Sequence, residues 1–456
     1  MERKQGMNRR EFLKKSTIGG TGLGMALSAA PAVFSAPADT INPSDKITVG
    51  CIGVGARAQQ LMESIMQCDG TEIVTVCDAY KGRVKRSIDR CGGKPTAAKD
   101  YKEIINRSDI DAVVIATPDH WHKTMAIEAL QAGKDVYIEK PMTYTVEDGS
   151  AIIDAVKRTN RVLQVGSQGM SSKIQIKARE IIASGKLGQI TMIRASYNRN
   201  TASGAWIYPI PPDAKDLSQS QVDWEMFLGP APKRPYDAAR FFQWRCFRDY
   251  SGGIATDLFV HLCTTIHFLM GVKAPASVIA SGQLYRWKET RDVPDTLNAI
   301  FTYNEGFTVN MSSTFNNQLS KESGFEILGT EGSISIGSNR VLLTTEKAIE
   351  DNKWIVDSWP KEMEDAYYRD KKIQKEEVPS LWEPEVNQVQ QTFEETGLDA
   401  TTLHFWNFFE AVRTKKQPLE DVYAGHRAAA CAHMVNKSVE TNKIVYWDAQ
   451  KDTMKM

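Results

Sequence analysis

The chain carries no net charge. Its 456 residues hold 56 lysines and arginines against 56 aspartates and glutamates, so no electrostatic footprint points to nucleic acid or to an acidic membrane. Cysteine patterning is missing too. The seven cysteines (51, 68, 77, 91, 246, 263, 431) include no C-x-x-C pair and no His/Cys ligand spacing. That argues against a disulfide framework and against a metal centre. Cys51 and Cys77 fall inside apolar runs and read as small core residues. There is no internal repeat, no low-complexity tract, and no stretch of about 20 strongly apolar residues such as a membrane span requires. What is present is an ordinary globular composition, 42 % hydrophobic and 25 % charged, with length for two or three domains of about 150 residues.

Residues 1–38 read as a leader rather than as part of the fold. MNRREFLKKS (7–16) places Arg9 beside Arg10, then Phe12, Leu13 and Lys14. A weakly apolar, glycine-rich run follows, with small residues near Ala36 and Ala38. This resembles a twin-arginine export signal, which implies a periplasmic or otherwise exported protein; the plain alternative is a basic tail. The twin-arginine route carries folded proteins, as an enzyme that takes up its cofactor in the cytoplasm needs.

Two kinds of chain follow. From 46 to 167, apolar strands alternate with helical periodicity: KITVGCI, then EIVTVCD (72–78), DIDAVVIATPDHWH (109–122), DVYIEKP and RVLQVGSQ. Such alternation implies βαβ units and a doubly wound parallel sheet. From 168 to 456, a helix and a strand lead into a long segment rich in proline and aromatics (201–250). A helix over GGIATDLFVHLCTTIHFLMG (252–271) comes next, then successive strands without helices. This half reads as α+β with a large open, mostly antiparallel sheet. Residues 345–400 read as an irregular charged insertion, and the helices of 401–441 as packing back on the first domain.

The chemistry concentrates at strand tips. Gly53, Gly55 and Ala58 match G-x-G-x-x-G/A directly after a strand and at the start of a helix. There they allow a tight turn, close approach of a pyrophosphate, and close helix–sheet packing. Asp78 closes the next strand, placed to accept from both ribose hydroxyls and to repel a 2′-phosphate. NAD is therefore favoured over NADP, although Lys81 and Arg83 lie close enough to soften that preference. The third tip, ATPDHWH (116–122), offers Thr117, Pro118, Asp119, His120 and His122 to the crevice, with turn-making and helix capping as their plainer role. The fourth tip ends in Glu139 and Lys140. An ammonium and an acid at the end of a core strand cost several kcal/mol unless paired or used. In the crevice Lys140 would orient a substrate hydroxyl and stabilise developing alkoxide charge, with Glu139 positioning the backbone or a neighbour.

Together the glycine loop, ATPDHWH, EKP, SGKLGQI, GTEGS and NFFEAVRTKKQPLEDVYAGHR resemble the Gfo/Idh/MocA family of sugar and cyclitol oxidoreductases over about 46–448. The resemblance implies a Rossmann domain that binds NAD, a C-terminal domain whose open sheet makes homo-oligomers, and a catalytic lysine, here Lys140. The family's second signature matches GGIATDLFVH. Asp257 and His261 are four apart on one helix; His261 then takes the hydroxyl proton, and Asp257 binds another substrate hydroxyl or tunes the base; a solvated helix pair is the plain alternative. His267 reads as packing, and His426 as equally able to face the site or the helix surface. Trp206 and Arg245, with the other aromatics and arginines of 201–250, form a sugar platform or simply pack their segment.

Three functions compete. The first is an exported NAD-dependent oxidoreductase acting on a secondary hydroxyl of a sugar, glycoside or cyclitol. The second is an NAD-dependent glycoside-cleaving enzyme that passes through a transient keto-sugar and elimination without net redox. The NAD-dependent N-acetylgalactosaminidases that resemble this family carry a YPTHG-like segment, where this chain has IYPIPPD (207–213) without that histidine. The third, a non-catalytic sugar-binding protein, would be expected to have lost Lys140 or the Asp257/His261 pair, and both are present.

Overall fold

The computed structural model describes residues 46–216, 221–317, 324–345, 352–373, 389–394 and 397–456. The leader read over 1–38 lies outside the described residues.

The first sheet has six parallel strands: β1 (Ile47–Ile52), β2 (Thr71–Cys77), β3 (Thr96–Ala97), β4 (Ala112–Ile115), β5 (Asp135–Glu139) and β6 (Leu163–Gly166). Their order is β3-β2-β1-β4-β5-β6. The chain thus reverses direction between β1 and β4, and ligands of such sheets sit outside the strand ends at that switch point. β4 and β5 are buried along their whole length, which is why AVVI and VYI read as apolar runs without alternation. Helices α1 (Ala56–Ile65), α2 (Lys81–Arg90), α3 (Tyr101–Ile105), α4 (His122–Gln131) and α5 (Val146–Thr159) connect them.

The second sheet has ten strands, with β7 (Ile190–Ser196) near its middle. β8 (Ser277–Gln283), β9 (Thr296–Thr302) and β10 (Thr308–Thr314) form a meander, and β10 pairs parallel to β7. On the other side lie β11 (Gly324–Gly329), β12 (Gly332–Ile336), β13 (Arg340–Thr345) and β14 (Val389–Glu394), all antiparallel. β14 departs from the irregular insertion expected over 345–400, as do short helices at Lys353–Val356 and Lys361–Arg369. VQQTFE has too few apolar residues to register as a strand; pairing with β13 gives it that form. The hairpin of β15 (Val445–Asp448) and β16 (Thr453–Lys455) extends the opposite edge. One face buries Ile193, Ala299, Phe301, Val309 and Ile327 on α6 (Lys173–Ala183) and α7 (Val260–Met270). The other face is open and exposes Ile279 and Ile300.

Two C-terminal helices join the halves. α8 (Ala400–Thr414) lays Phe405, Phe408 and Phe409 on the first sheet, where Tyr137 stacks on Phe405 at 4.4 Å. α9 (Val422–Thr441) runs against α5 and β8. A Cβ at Gly149 would fall 1.9 Å from His426 Nδ1, so only glycine lets these helices approach this closely. His426 is buried there, bonded to the Asp452 carbonyl at 2.8 Å.

Candidate functional site

A cleft of 560 Å³ opens at the carboxyl ends of β1, β2, β4 and β5. Its floor is the glycine turn. Gly53 has φ +77°, and a Cβ there would strike Ala116 and Thr117 within 3 Å. Gly55 caps α1 with no side chain, and no acid occupies the first turn, so the helix N-terminus presents open N–H donors to an anion. Asp78 accepts from Val54 N–H and from Tyr80 N–H, both at 2.9 Å. Each carboxylate oxygen keeps a further lone pair for a hydroxyl. Arg83 lies 3.6 Å from Asp78. Thr117 Oγ1 is buried in the cleft wall with no hydrogen-bond partner among the described residues, as suits an atom that waits for a ligand. Ala58 is buried against the sheet. These groups fit a dinucleotide.

At the other end the two halves meet. Lys140 Nζ donates to Asp257 Oδ1 at 2.8 Å and to the Asp257 carbonyl at 2.9 Å. Arg245 Nε donates to the same Oδ1 at 2.9 Å while its guanidinium stacks on Trp244. Burial works against charge on Asp257, but Lys140, Arg245 and Arg199 outweigh it and hold the carboxyl well below its usual range. His261 lines the same cleft. Burial, helped by Lys140, pushes its pKa well below 6.5, so it stands neutral at neutral pH. Glu139 accepts from Gln168 at 2.7 Å and pairs with Arg57 at 3.3 Å, which answers the question of a buried acid at a strand tip.

Asp257 does not sit on an α-helix. Ala255–Phe259 form a π-helical turn that leads into α7. Such turns widen the backbone ring and are frequent at functional sites.

Several expected site residues lie elsewhere. His120 and His122 are buried behind the cleft instead of lining it. His120 Nε2 meets the Phe227 carbonyl at 3.0 Å, and His122 spans the carbonyls of Pro141 (2.7 Å) and Thr117 (3.0 Å). They brace the strand tips because a 3₁₀ turn at Asp119–Trp121 tucks both rings inward. Asp119 is buried too; burial first, then the Asp257 charge, pushes its pKa up to about 7. Trp206 is fully buried, edge-on to Phe315, and does not face the cleft. Its turn is held by Ile207 N–H on the Ala202 carbonyl.

The 201–250 segment splits its aromatics between the two uses expected of them. Tyr208, Phe241, Phe242 and Trp244 line the cleft, whereas Trp224 and Tyr236 pack together. The segment is latched to the first domain by backbone: Asp223 N–H on the Ala79 carbonyl (2.7 Å) and Lys81 N–H on the Gln221 carbonyl (3.1 Å). Reasoning from sequence missed Arg57, Gln168, Tyr197 and Arg199. Arg57 was within reach, inside the glycine motif, and Tyr197 and Arg199 follow the end of β7.

Among the described residues no three His, Cys, Asp or Glu side chains gather as a metal site, and no helix is long and apolar enough to cross a membrane. All seven cysteines are free and buried.

Residues 47–167 match the family model described as oxidoreductase family, NAD-binding Rossmann fold, and residues 227–335 match the GFO/IDH/MocA C-terminal domain. A glycosyl hydrolase family 109 protein of Shewanella pealeana is 30 % identical over 209 residues, 42 % of this chain and 46 % of the relative. The chain thus spans about half the length of that relative. Among solved structures, a levoglucosan dehydrogenase in complex with NADH and levoglucosan superposes with TM-score 0.64 at 20 % identity, over 88 % of this chain and 99 % of the other. An aldose–aldose oxidoreductase from Caulobacter crescentus gives TM-score 0.63 at 16 % identity, over 88 % and 99 %. These two likenesses are of fold.

Proposed function

We propose, from the premise that this chain belongs to the Gfo/Idh/MocA oxidoreductase family, that it is an exported NAD-dependent enzyme acting on a secondary hydroxyl of a sugar, glycoside or cyclitol. The observation that carries this reading is the single oxygen, Asp257 Oδ1, that receives both Lys140 and Arg245 beside the neutral His261. When bound, NAD accepts a hydride from carbon or returns it. Gly53, Gly55 and the α1 N-terminus would hold its phosphates, and Asp78 a ribose. The chain's own residues do the rest. His261 takes the hydroxyl proton. Lys140, aimed by two bonds to Asp257, donates to the same oxygen as negative charge develops on it. Tyr208 and Trp244 offer aromatic faces to sugar C–H surfaces. The open face of the ten-stranded sheet is the surface through which copies would associate.

One preparation tests this reading. The full chain, recovered from the periplasmic fraction of a bacterial host, is expected to be multimeric by light scattering. It is also expected to release NAD or NADH on denaturation and to oxidise at least one sugar or glycoside. Retention in the cytoplasm counts against export, and a protein that never binds the dinucleotide overturns the enzyme reading.

A second reading, glycoside cleavage through a transient keto-sugar, is favoured by the identity to the family 109 relative. It predicts aglycone release without accumulation of NADH. Tyr208 lines the cleft within the very segment that lacks the histidine of the N-acetylgalactosaminidases, so that particular glycoside is not the one proposed.

NAD preference rests on Asp78. Asp78→Ala is expected to weaken NAD binding about tenfold and to lose most discrimination against the 2′-phosphate, since Arg83 is then unpaired at the same place. Titrating nucleotide-free protein with NAD and NADP measures both; unchanged discrimination would show that another group sets it.

A further inference from the structure

The catalytic end of the cleft has more positive charge than its own carboxylates neutralise. Arg57, Lys140, Arg199 and Arg245 line it, against Glu139 and Asp257. Arg57 is taken up by Glu139, and Asp257 serves both Lys140 and Arg245. No described carboxylate pairs with Arg199, whose guanidinium rests 5.1 Å above the Tyr197 ring. Tyr197 in turn stacks on His261 at 6.1 Å. This places Arg199 in the same stack as the proposed base, and its charge acts on both Asp257 and His261. Arg199 follows β7 in the second domain, whereas the phosphate-binding turn and Arg83 belong to the first. Arg245 shares Asp257 with Lys140, with the buried Asp119 acting on it as well, and a second guanidinium beside it with no described carboxylate paired to it is costly unless a ligand completes the set.

We infer that the sugar taken by this cleft carries a carboxylate, as a uronate does, and that Arg199 with the outer edge of Arg245 receives it. The inference rests on the proposed sugar-oxidoreductase reading and adds the class of sugar. The guanidinium fork matches a planar carboxylate with two parallel N–H donors. Arg245 already spends its Nε on Asp257, which leaves its terminal nitrogens for substrate. A neutral glycoside would leave Arg199 without a counter-charge.

The test uses nucleotide-loaded protein and matched probes: methyl glucuronide and methyl galacturonide against methyl glucoside and methyl galactoside, with methyl glucoside 6-sulfate as a further anion. Binding is read by calorimetry and oxidation by NADH absorbance. At least one uronide is expected to bind about tenfold more tightly than its neutral partner, with an advantage that shrinks as salt is added. Arg199→Gln should abolish that advantage, so that a uronide and its neutral partner bind equally, and Arg199→Lys should restore part of it. Equal binding of uronides and neutral glycosides, or a preference that survives Arg199→Gln in a protein with unaltered melting temperature, overturns the inference. So does tighter binding of the sulfate than of either uronide. Uronide binding without any oxidation would uphold the carboxylate site and overturn the oxidoreductase reading. Oxidation of neutral glycosides with no carboxylate preference would do the reverse.

Discussion

Replacing Lys140 by methionine is expected to lower kcat for sugar oxidation about a thousandfold while bound nucleotide is retained, the range typical of losing one preorganised donor at a developing oxyanion. Methionine keeps the length of a side chain that is only 9 % exposed. Asp257 Oδ1 keeps Arg245 as a partner at 2.9 Å, so no carboxylate is left buried and unpaired, and the fold should survive. What disappears is the donor aimed at the substrate oxygen. His261→Asn is expected to cost a similar factor if His261 is the proton acceptor proposed above, and the double variant should be little worse than either single one, because in that proposal the two groups act on one O–H bond. Steady-state rates with nucleotide content measured in parallel decide the matter. A Lys140→Met enzyme within about tenfold of the parent would leave Lys140 a structural residue.

Acid is expected to unfold this protein well before ordinary carboxylate titration would. His120, His404 and His433 have their pKa values pushed down to about 4 by burial, and His267 to about 3. Their partners are fixed neutral groups. His404, for example, contacts the Val165 carbonyl at 2.8 Å and Ser171 Oγ at 2.9 Å. A histidine whose folded pKa lies below its unfolded value of about 6.5 is protonated first in the unfolded chain. Stability is therefore complete above that pH and is lost as the pH falls toward 4, at roughly 1.4 kcal/mol per pH unit for each ring.

Two buried carboxyls oppose this. Burial raises Glu420 to about 8 and Asp119 to about 7, so they favour the folded state increasingly as the pH drops to about 4.5, where the unfolded chain protonates too. These four histidines against the two carboxyls leave a net loss of about 3 kcal/mol per pH unit between 6.5 and 4.5, to which His122 and His261, also pushed down by burial, add. That is a large part of the stability of an ordinary domain. Urea midpoints measured from pH 7.5 to 4.5 should fall steadily; a flat profile down to pH 5 would mean that these rings are hydrated in solution.

Residues whose role follows from local chain geometry could be read without coordinates. The turn at Gly53, Asp78 at the end of β2 and Lys140 at the end of β5 are each set by a strand followed by a break, and the parallel sheet follows from alternation of strands with helices, although its strand order does not. Asp257 and His261 were legible as a pair, yet the π-helical turn that carries Asp257 was not, because its hydrogen-bond pattern leaves no mark in residue type. His120, His122 and Trp206 were misplaced for a related reason. A polar or aromatic side chain beside a strand tip can turn inward or outward, and the choice belongs to partners distant in sequence: Phe227 and Pro141 for the histidines, Phe315 for the tryptophan. Arg199 escaped notice because nothing in YNRN signals that its charge lacks a described counter-ion. β14 and the two-residue β3 hold their form only through neighbouring strands.

The way α8 covers the first sheet sets a timetable for synthesis. Tyr137 leaves the ribosome far ahead of Phe405, Phe408 and Phe409, the rings that shield it. At about 5–20 residues per second the wait between β6 and α8 is of the order of tens of seconds. During that interval the nascent first domain presents a greasy, unfinished flank, and it can close only when nearly the whole polypeptide has emerged. A chaperone that shields that flank would be of most use while the second half is still being translated.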